Sequence, residues 1–218
     1  MYEYAQTKSH DLDELTLLCD RHHAEKTKGL LPKTTVIEAN QNPINRKNGI
    51  SEPYGLHFSG NRCEVNIGGN WFHSTSARLV PFIINNLEIF TFDFRDGELL
   101  VSCQIQDQQG NSTLVIDENE LIYAVDSWDI EFVGKTLTLR NSPREFQFQV
   151  TFQPPSQITV SRLDMQYRDV RVFVDPNGFH VRGPGVRTRD LANASMAGGF
   201  EYAIALDSKV LTAVGLIL

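Results

Sequence analysis

Residues Glu145-Phe-Gln-Phe-Gln-Val-Thr-Phe152 are the clearest indication of the fold class, because apolar and polar residues alternate along them. Successive side chains of an extended strand point to opposite faces of a sheet. The alternation therefore predicts a strand that buries Phe146, Phe148, Val150 and Phe152 on one face and exposes the residues between them.

Similar short runs of β-branched and aromatic residues recur from about residue 55 onward. Turn-forming residues such as Asp96-Gly97 and Gly134 separate these runs. Few helical patterns interrupt them, which argues against a parallel sheet with crossover helices. Strands are predicted at residues 56–58, 62–67, 87–94, 99–105, 112–116, 121–125, 128–133, 136–140, 145–152, 158–160, 170–174 and 179–181.

The predicted fold class is mainly β, with a short helical segment at the N-terminus. Strands this short and this closely spaced fit either an antiparallel sandwich or a β-solenoid-like body. Residues 1–50 have a different character and predict helices at 20–29 and 32–41, followed by a turn-rich linker at 42–53. We therefore expect two domains, a helical segment over 1–50 and a β-rich domain over 51–218.

The charge of the chain is divided unevenly between these two parts. The net charge is −7, from 20 Lys and Arg against 27 Asp and Glu. Seven basic and seven acidic residues lie in 1–50, so 13 basic and 20 acidic residues remain in 51–218. Nucleic-acid binding usually needs a basic field, so the sequence leaves a nucleic-acid partner uncertain.

Several arginines nevertheless gather late in the chain. Such a group predicts either a local anion-binding face or an ordinary solvated strand surface. The candidate anion-binding residues are Arg162, Arg168, Arg171 and Arg182.

Location and assembly are predicted from the apolar and cysteine patterns. The longest apolar run, residues 210–218, is too short for a membrane span, which needs about 20 residues. No secretory signal is visible, and the odd count of three cysteines argues against a disulfide scaffold. We therefore expect a cytoplasmic protein without a membrane partner. The apolar end should pack in the core or against another subunit, so a homo-oligomer is expected.

Residues 9–27, Ser-His-Asp-Leu-Asp-Glu-Leu-Thr-Leu-Leu-Cys-Asp-Arg-His-His-Ala-Glu-Lys-Thr, resemble the second half of the HNH nuclease motif. That family folds a β-hairpin and a helix around a catalytic metal, beside a zinc held by two Cys-x-x-Cys pairs. The resemblance implies that Cys19 and His22 correspond to the second zinc pair. It also implies that His23 corresponds to the final metal-binding His and Glu14 to the middle Asn, so these two are the candidate catalytic residues.

The resemblance covers only half of a catalytic site and half of a zinc site. The general-base His and the first cysteine pair of the family should lie upstream of Met1. Zinc therefore remains possible only as a half-site, and Cys19 and the two histidines have an alternative interpretation as ordinary helix residues. We expect the chain as written not to be an active enzyme; if it is one, it is a metal-dependent phosphodiesterase.

Three hypotheses about function remain open at this point. The first is a degenerate HNH derivative whose β-rich domain acts as a binding or oligomerisation module. The second is an HNH-type nuclease whose first half lies outside this chain. The third is a structural β-protein that associates with itself.

Overall fold

The computed structural model describes residues 16–51, 53–124, 129–183, 189–206 and 214–217. The chain forms two compact units, Met1–Ile50 and Ser51–Leu218. We refer to the second as the β unit. Within the described residues, no helix has the length and apolar character needed to cross a membrane.

The N-terminal unit contains three short helices over its described residues: α1 (Asp20–Thr27), α2 (Lys33–Gln41) and α3 (Ile44–Asn48). The first two confirm the predicted helices. The third lies in the segment predicted to be a linker, where Pro43 has a backbone compatible with a helix start. Gly49 ends α3 in the left-handed conformation, with φ of +73°.

The β unit consists of short strands joined mostly by tight turns. Over the described residues they are β1 (Tyr54–Gly55), β2 (Glu64–Ile67), β3 (Asn70–Ser74), β4 (Arg78–Ile84), β5 (Leu87–Glu88), β6 (Phe90–Arg95), β7 (Glu98–Gln106), β8 (Ser112–Asp117), β9 (Glu120–Tyr123), β10 (Asp129–Val133), β11 (Thr136–Ser142), β12 (Glu145–Gln153), β13 (Gln157–Tyr167), β14 (Val170–Asp175), β15 (Gly178–Arg182), β16 (Arg189–Leu191), β17 (Ser195–Gly198), β18 (Tyr202–Leu206) and β19 (Val214–Ile217).

These strands form two sheets, each built around an antiparallel meander. The first sheet has the order β1-β9-β8-β7-β6-β4-β18-β19, with β5 paired to β4. The second runs from β10 through β16 in chain order, and β2, β3 and β17 extend it beside β13. Parallel pairs occur where the chain returns to a sheet, at β2 with β13, β17 with β3, and β18 with both β4 and β19.

One hydrophobic core lies between the two sheets and confirms the sandwich. Phe82 of β4 stacks on Phe179 of β15 with ring centroids 3.7 Å apart. Phe90 of β6 lies 6.1 Å from Phe148 of β12, again across the two sheets. Sheets built from sequential antiparallel meanders and packed face to face are the arrangement of a sandwich and not of solenoid coils.

One predicted strand is absent from the structure, and β3 and β4 are among the strands that were not predicted. Residues 56–58 form no strand. Strand β4 was not predicted, because six of its seven residues are buried and a strand covered on both faces shows no alternation.

The face assigned to Phe146 was also wrong. A register shift interrupts the pairing of β11 with β12 next to Arg140, which pairs with Phe146. Such a bulge moves neighbouring side chains to the other face of a sheet. Phe146 is therefore 37% exposed beneath the Arg140 guanidinium, whereas Gln147 is buried and donates from Nε2 to the Gln106 carbonyl at 3.0 Å.

Candidate functional site

The Cys19 and His22 side chains meet at the start of α1. Cys19 is the residue before the first helical turn, and its side chain makes no capping hydrogen bond. Its Sγ lies 3.4 Å from His22 Nδ1, because a spacing of three residues places both on one side of the first turn. Both side chains are exposed.

This distance fits two ligands of a single zinc ion. A tetrahedral zinc with Zn–S of about 2.3 Å and Zn–N of about 2.05 Å places the two ligand atoms about 3.6 Å apart. The same distance also fits a weak S–H···N hydrogen bond. Among the residues that the structure describes, no group of three or more His, Cys, Asp and Glu is arranged to hold a metal. A zinc ion at this pair would have only two of the four ligands of a structural site among the described residues.

His23, one of the two candidate catalytic residues, does not share a side of the helix with His22. His23 is exposed on α1, and adjacent helical residues do not face each other, so His22 and His23 point in different directions. The His23 carbonyl accepts a hydrogen bond from Thr27 Oγ1 at 2.9 Å, which is an ordinary helix contact. Glu14 lies outside the described residues.

The other two cysteines have no site around them. Cys63 and Cys103 are buried in the β unit. Burial raises the pKa of each thiol to about 12. A thiol that stays protonated at neutral pH is a poor nucleophile and a poor metal ligand, so these two residues serve packing.

Two of the four candidate anion-binding arginines are neighbours in the structure. Arg171 of β14 and Arg182 of β15 are directly opposite each other in the ladder. Their guanidinium carbons lie 5.1 and 5.5 Å from the centroid of the Phe173 ring. Arg162 lies along β13, and Arg168 lies in the turn after it, over the ring of Tyr167.

Both neighbouring arginines already have carboxylate partners. Arg171 donates to both oxygens of Asp164 at 2.8 and 2.6 Å. Arg182 donates to Asp190 at 2.5 Å, and the same carboxylate lies 2.6 Å from His180 Nδ1. Hydrogen bonds from His180 and Arg182 hold the pKa of Asp190 below its ordinary value. An external anion would have to compete with these carboxylates.

A second charged cluster surrounds Arg78 on β4. Its guanidinium donates to Glu88 at 2.5 Å and to Glu201 at 3.0 Å, and its Nε lies 3.4 Å from Asp93. The Tyr202 hydroxyl donates to Glu88 at 2.8 Å, and burial followed by this Glu88 contact raises the pKa of Tyr202 to about 12. One cation thus joins three carboxylates from separate parts of the first sheet. Sequence reasoning missed this cluster because its members are far apart along the chain.

The third feature is an aromatic cleft that we call the edge groove. It is an open depression of about 170 Å³ where the outermost strands of the two sheets, β1 and β10, approach each other. Tyr54 of β1 meets Phe132 of β10 edge to face at 5.6 Å. Phe152 lies 6.0 Å from Phe132 and 5.9 Å from Phe58, which makes the floor apolar. The groove is lined by residues 54–58, Phe132, Gly134, Lys135, Phe152 and Pro154.

The residues at the mouth of the edge groove are unusually exposed for their type. Tyr54 is 55% exposed, Phe132 38% and the adjacent Val133 65%. The sequence feature that could have indicated this exposure is the pair Phe132-Val133 before the turn at Gly134. Consecutive apolar residues at a strand end lie on opposite faces of the sheet. Sequence reasoning predicted this strand and did not consider its exposure.

An acidic cleft shares one wall with the edge groove. Residues 55–58 line both, and the second cleft has a volume of about 300 Å³. Its other wall carries Glu98, Glu118 and Glu120. Glu118 pairs with Arg95. An apolar groove and an acidic cleft therefore lie side by side at this end of the β unit.

No family model matches this sequence, and no curated protein or solved structure matches it either. The likeness to HNH nucleases rests on the residues quoted above. Function is therefore inferred from the side chains of the two units themselves.

Proposed function

We propose that this protein is a degenerate HNH derivative whose β unit acts as a binding module, with the edge groove as its binding site. The observation that carries the proposal is the exposed aromatic pair, Tyr54 and Phe132, contributed by the edges of two different sheets. Single exposed apolar residues are common, whereas aromatic side chains that converge on a cleft are typical of binding sites.

The groove suits an anchoring side chain of a partner. Its aromatic walls are held in place by ring contacts with Phe152 in the core, so little conformational entropy is lost when a partner binds. A volume of about 170 Å³ is of the size of one large apolar side chain. Interfaces commonly derive most of their affinity from a few such anchors in preformed pockets.

Replacing Phe132 with serine tests this proposal. Peptides would be selected from a random display library against the whole protein, and their affinities measured by fluorescence polarisation. We expect the selected peptides to bind Phe132→Ser at least about 30-fold more weakly, which is the effect of losing about 2 kcal/mol at an interface anchor.

A matched control is available on the same sheet. Phe146 has almost the same exposure as Phe132, 37% against 38%, and it does not line the groove. Binding should survive in Phe146→Ser. Equal losses in the two variants, with both folded by circular dichroism, would show that the peptides do not use the groove.

The N-terminal segment is proposed to retain a zinc half-site without nuclease activity. Two ligands hold zinc weakly, so the purified chain should contain well under one zinc per molecule. Plasmid DNA should stay intact with magnesium or manganese, because metal-assisted hydrolysis needs a positioned base and a held metal. Stoichiometric zinc that is lost in Cys19→Ser would contradict the half-site. Cleavage that is lost in His23→Ala would instead favour a nuclease.

A further inference from the structure

The outer edge of β10 has backbone groups without a strand partner. Val133 and Thr136 flank the two-residue turn of the β10–β11 hairpin, where Gly134 has φ of +60°. In an antiparallel ladder, alternate residues direct their N–H and C=O groups to opposite sides. Ile130 and Phe132 therefore direct theirs away from β11. Within the described part of the chain, no strand pairs with that side.

The side chains around this edge carry excess negative charge. Arg140 of β11 pairs with Asp129 and also lies 3.2 Å from Glu131, so one guanidinium serves two carboxylates. Lys135 adds one cation to the edge groove, whereas the acidic cleft beside it adds Glu98 and Glu120 near residues 55–58, so the named carboxylates outnumber the named cations. A partner with basic side chains would complement this surface.

Pairing of β10 with a second copy of itself is disfavoured by the same geometry. A two-fold antiparallel pair that uses the free backbone groups of both Ile130 and Phe132 places Ile130 of each chain opposite Phe132 of the other chain. Glu131 then lies directly opposite Glu131 of the second chain. Like charges directly opposite each other destabilise a strand pair.

We propose that the edge groove recognises an extended, basic segment of another protein that adds to the sheet as a strand beside β10. The inference rests on the proposed function, because the same groove receives the apolar anchor of that segment. Backbone hydrogen bonds would come from Ile130 and Phe132, and a Lys or Arg would lie opposite Glu131. Strand addition of this kind takes affinity from the backbone and specificity from alternate side chains.

Two pools of short synthetic peptides test the inference. One pool alternates Lys with Val, Ile, Phe or Tyr, and the other has Glu in place of Lys. We expect the Lys pool to bind the whole protein at least about tenfold more tightly at low salt, with the difference shrinking as NaCl screens the charges. Equal affinity of the two pools, or binding of neither, would overturn the inference.

Charge-reversal variants locate the contact. Glu131→Lys should remove most of the preference for the Lys pool. Glu145→Lys makes the same change of net charge at the exposed first residue of β12 and should keep the preference. A loss of preference that is the same in both variants would show only a long-range effect of net charge and would contradict a strand opposite Glu131.

Backbone methylation distinguishes strand addition from side-chain binding alone. Methylating the amide nitrogens of either the Lys or the apolar positions removes the donors on one side of the added strand. One methylated set should bind and the other should not. If both sets bind equally well, the segment does not add as a strand. Library peptides that depend on Phe132 would then still support the groove as a binding site, so the two proposals fail separately.

Discussion

Replacing Phe82 with alanine is expected to lower the free energy of unfolding by about 4 kcal/mol. Phe82 is 1% exposed and stacks on Phe179 of the opposite sheet at 3.7 Å. Its edge contact with Phe72, at 5.1 Å, joins a further strand of the second sheet. The truncation would leave a cavity between the sheets that neighbouring rings cannot fill without moving. The variant therefore loses the transfer free energy of the buried ring and also has the energetic cost of the cavity.

Urea unfolding followed by tryptophan fluorescence or circular dichroism measures this loss. Phe146→Ala removes the same atoms from a ring that is 37% exposed, and we expect it to cost less than about 1 kcal/mol. Similar losses in the two variants would mean that the Phe82 ring does not join the sheets as described. The comparison therefore tests the sandwich itself, which brings the edges β1 and β10 to one groove.

The second large effect is expected for Arg78→Met, which should destabilise the protein by about 2 kcal/mol. The variant keeps the apolar stem of the side chain and removes the guanidinium that contacts Glu88, Asp93 and Glu201. Those three carboxylates are 24–28% exposed, so solvent screens their repulsion only in part. The expected loss of stability in Arg78→Met is therefore smaller than the loss from breaking a fully buried ion pair.

A second substitution and a surface control keep this prediction testable. Glu88→Gln in the Arg78→Met background should recover part of the lost stability, because it removes one of the repelling charges. Arg95→Met breaks an ion pair whose two side chains are both 54% exposed, so it should cost less than about 1 kcal/mol. If Arg78→Met costs no more than Arg95→Met, the cluster does not stabilise the sheet.

The strands and helices were largely predictable because their signals are local. The alternation in residues 145–152 and Pro32 before α2 are local signals, because they reflect contacts made within a few residues. The failures came where tertiary contacts overrode the local pattern. Burial of β4 on both faces removed its alternation, and the bulge beside Arg140 turned Phe146 outward.

The candidate sites also divide into those with a local sequence signal and those formed by contacts between distant residues. Cys19 and His22 were singled out by the resemblance to the HNH motif, and their spacing of three residues on a helix explains why Sγ and Nδ1 lie 3.4 Å apart. The late arginines were noticed, but their partners were not, since Asp164 and Asp190 reach Arg171 and Arg182 through strand pairing. The edge groove was missed entirely because Tyr54 and Phe132 come from different sheets.

Local patterns along the chain were enough to predict the fold class, the contrast between a helical N-terminal segment and an acidic β-rich body, and the positions of most strands. The choice between sandwich and solenoid required the packing of the sheets, because both folds produce the same alternation along each strand. The tertiary structure also decided which aromatic side chains are left at the surface. Exposure depends on where each strand lies in its sheet, and strand order is set by contacts between residues far apart in the chain.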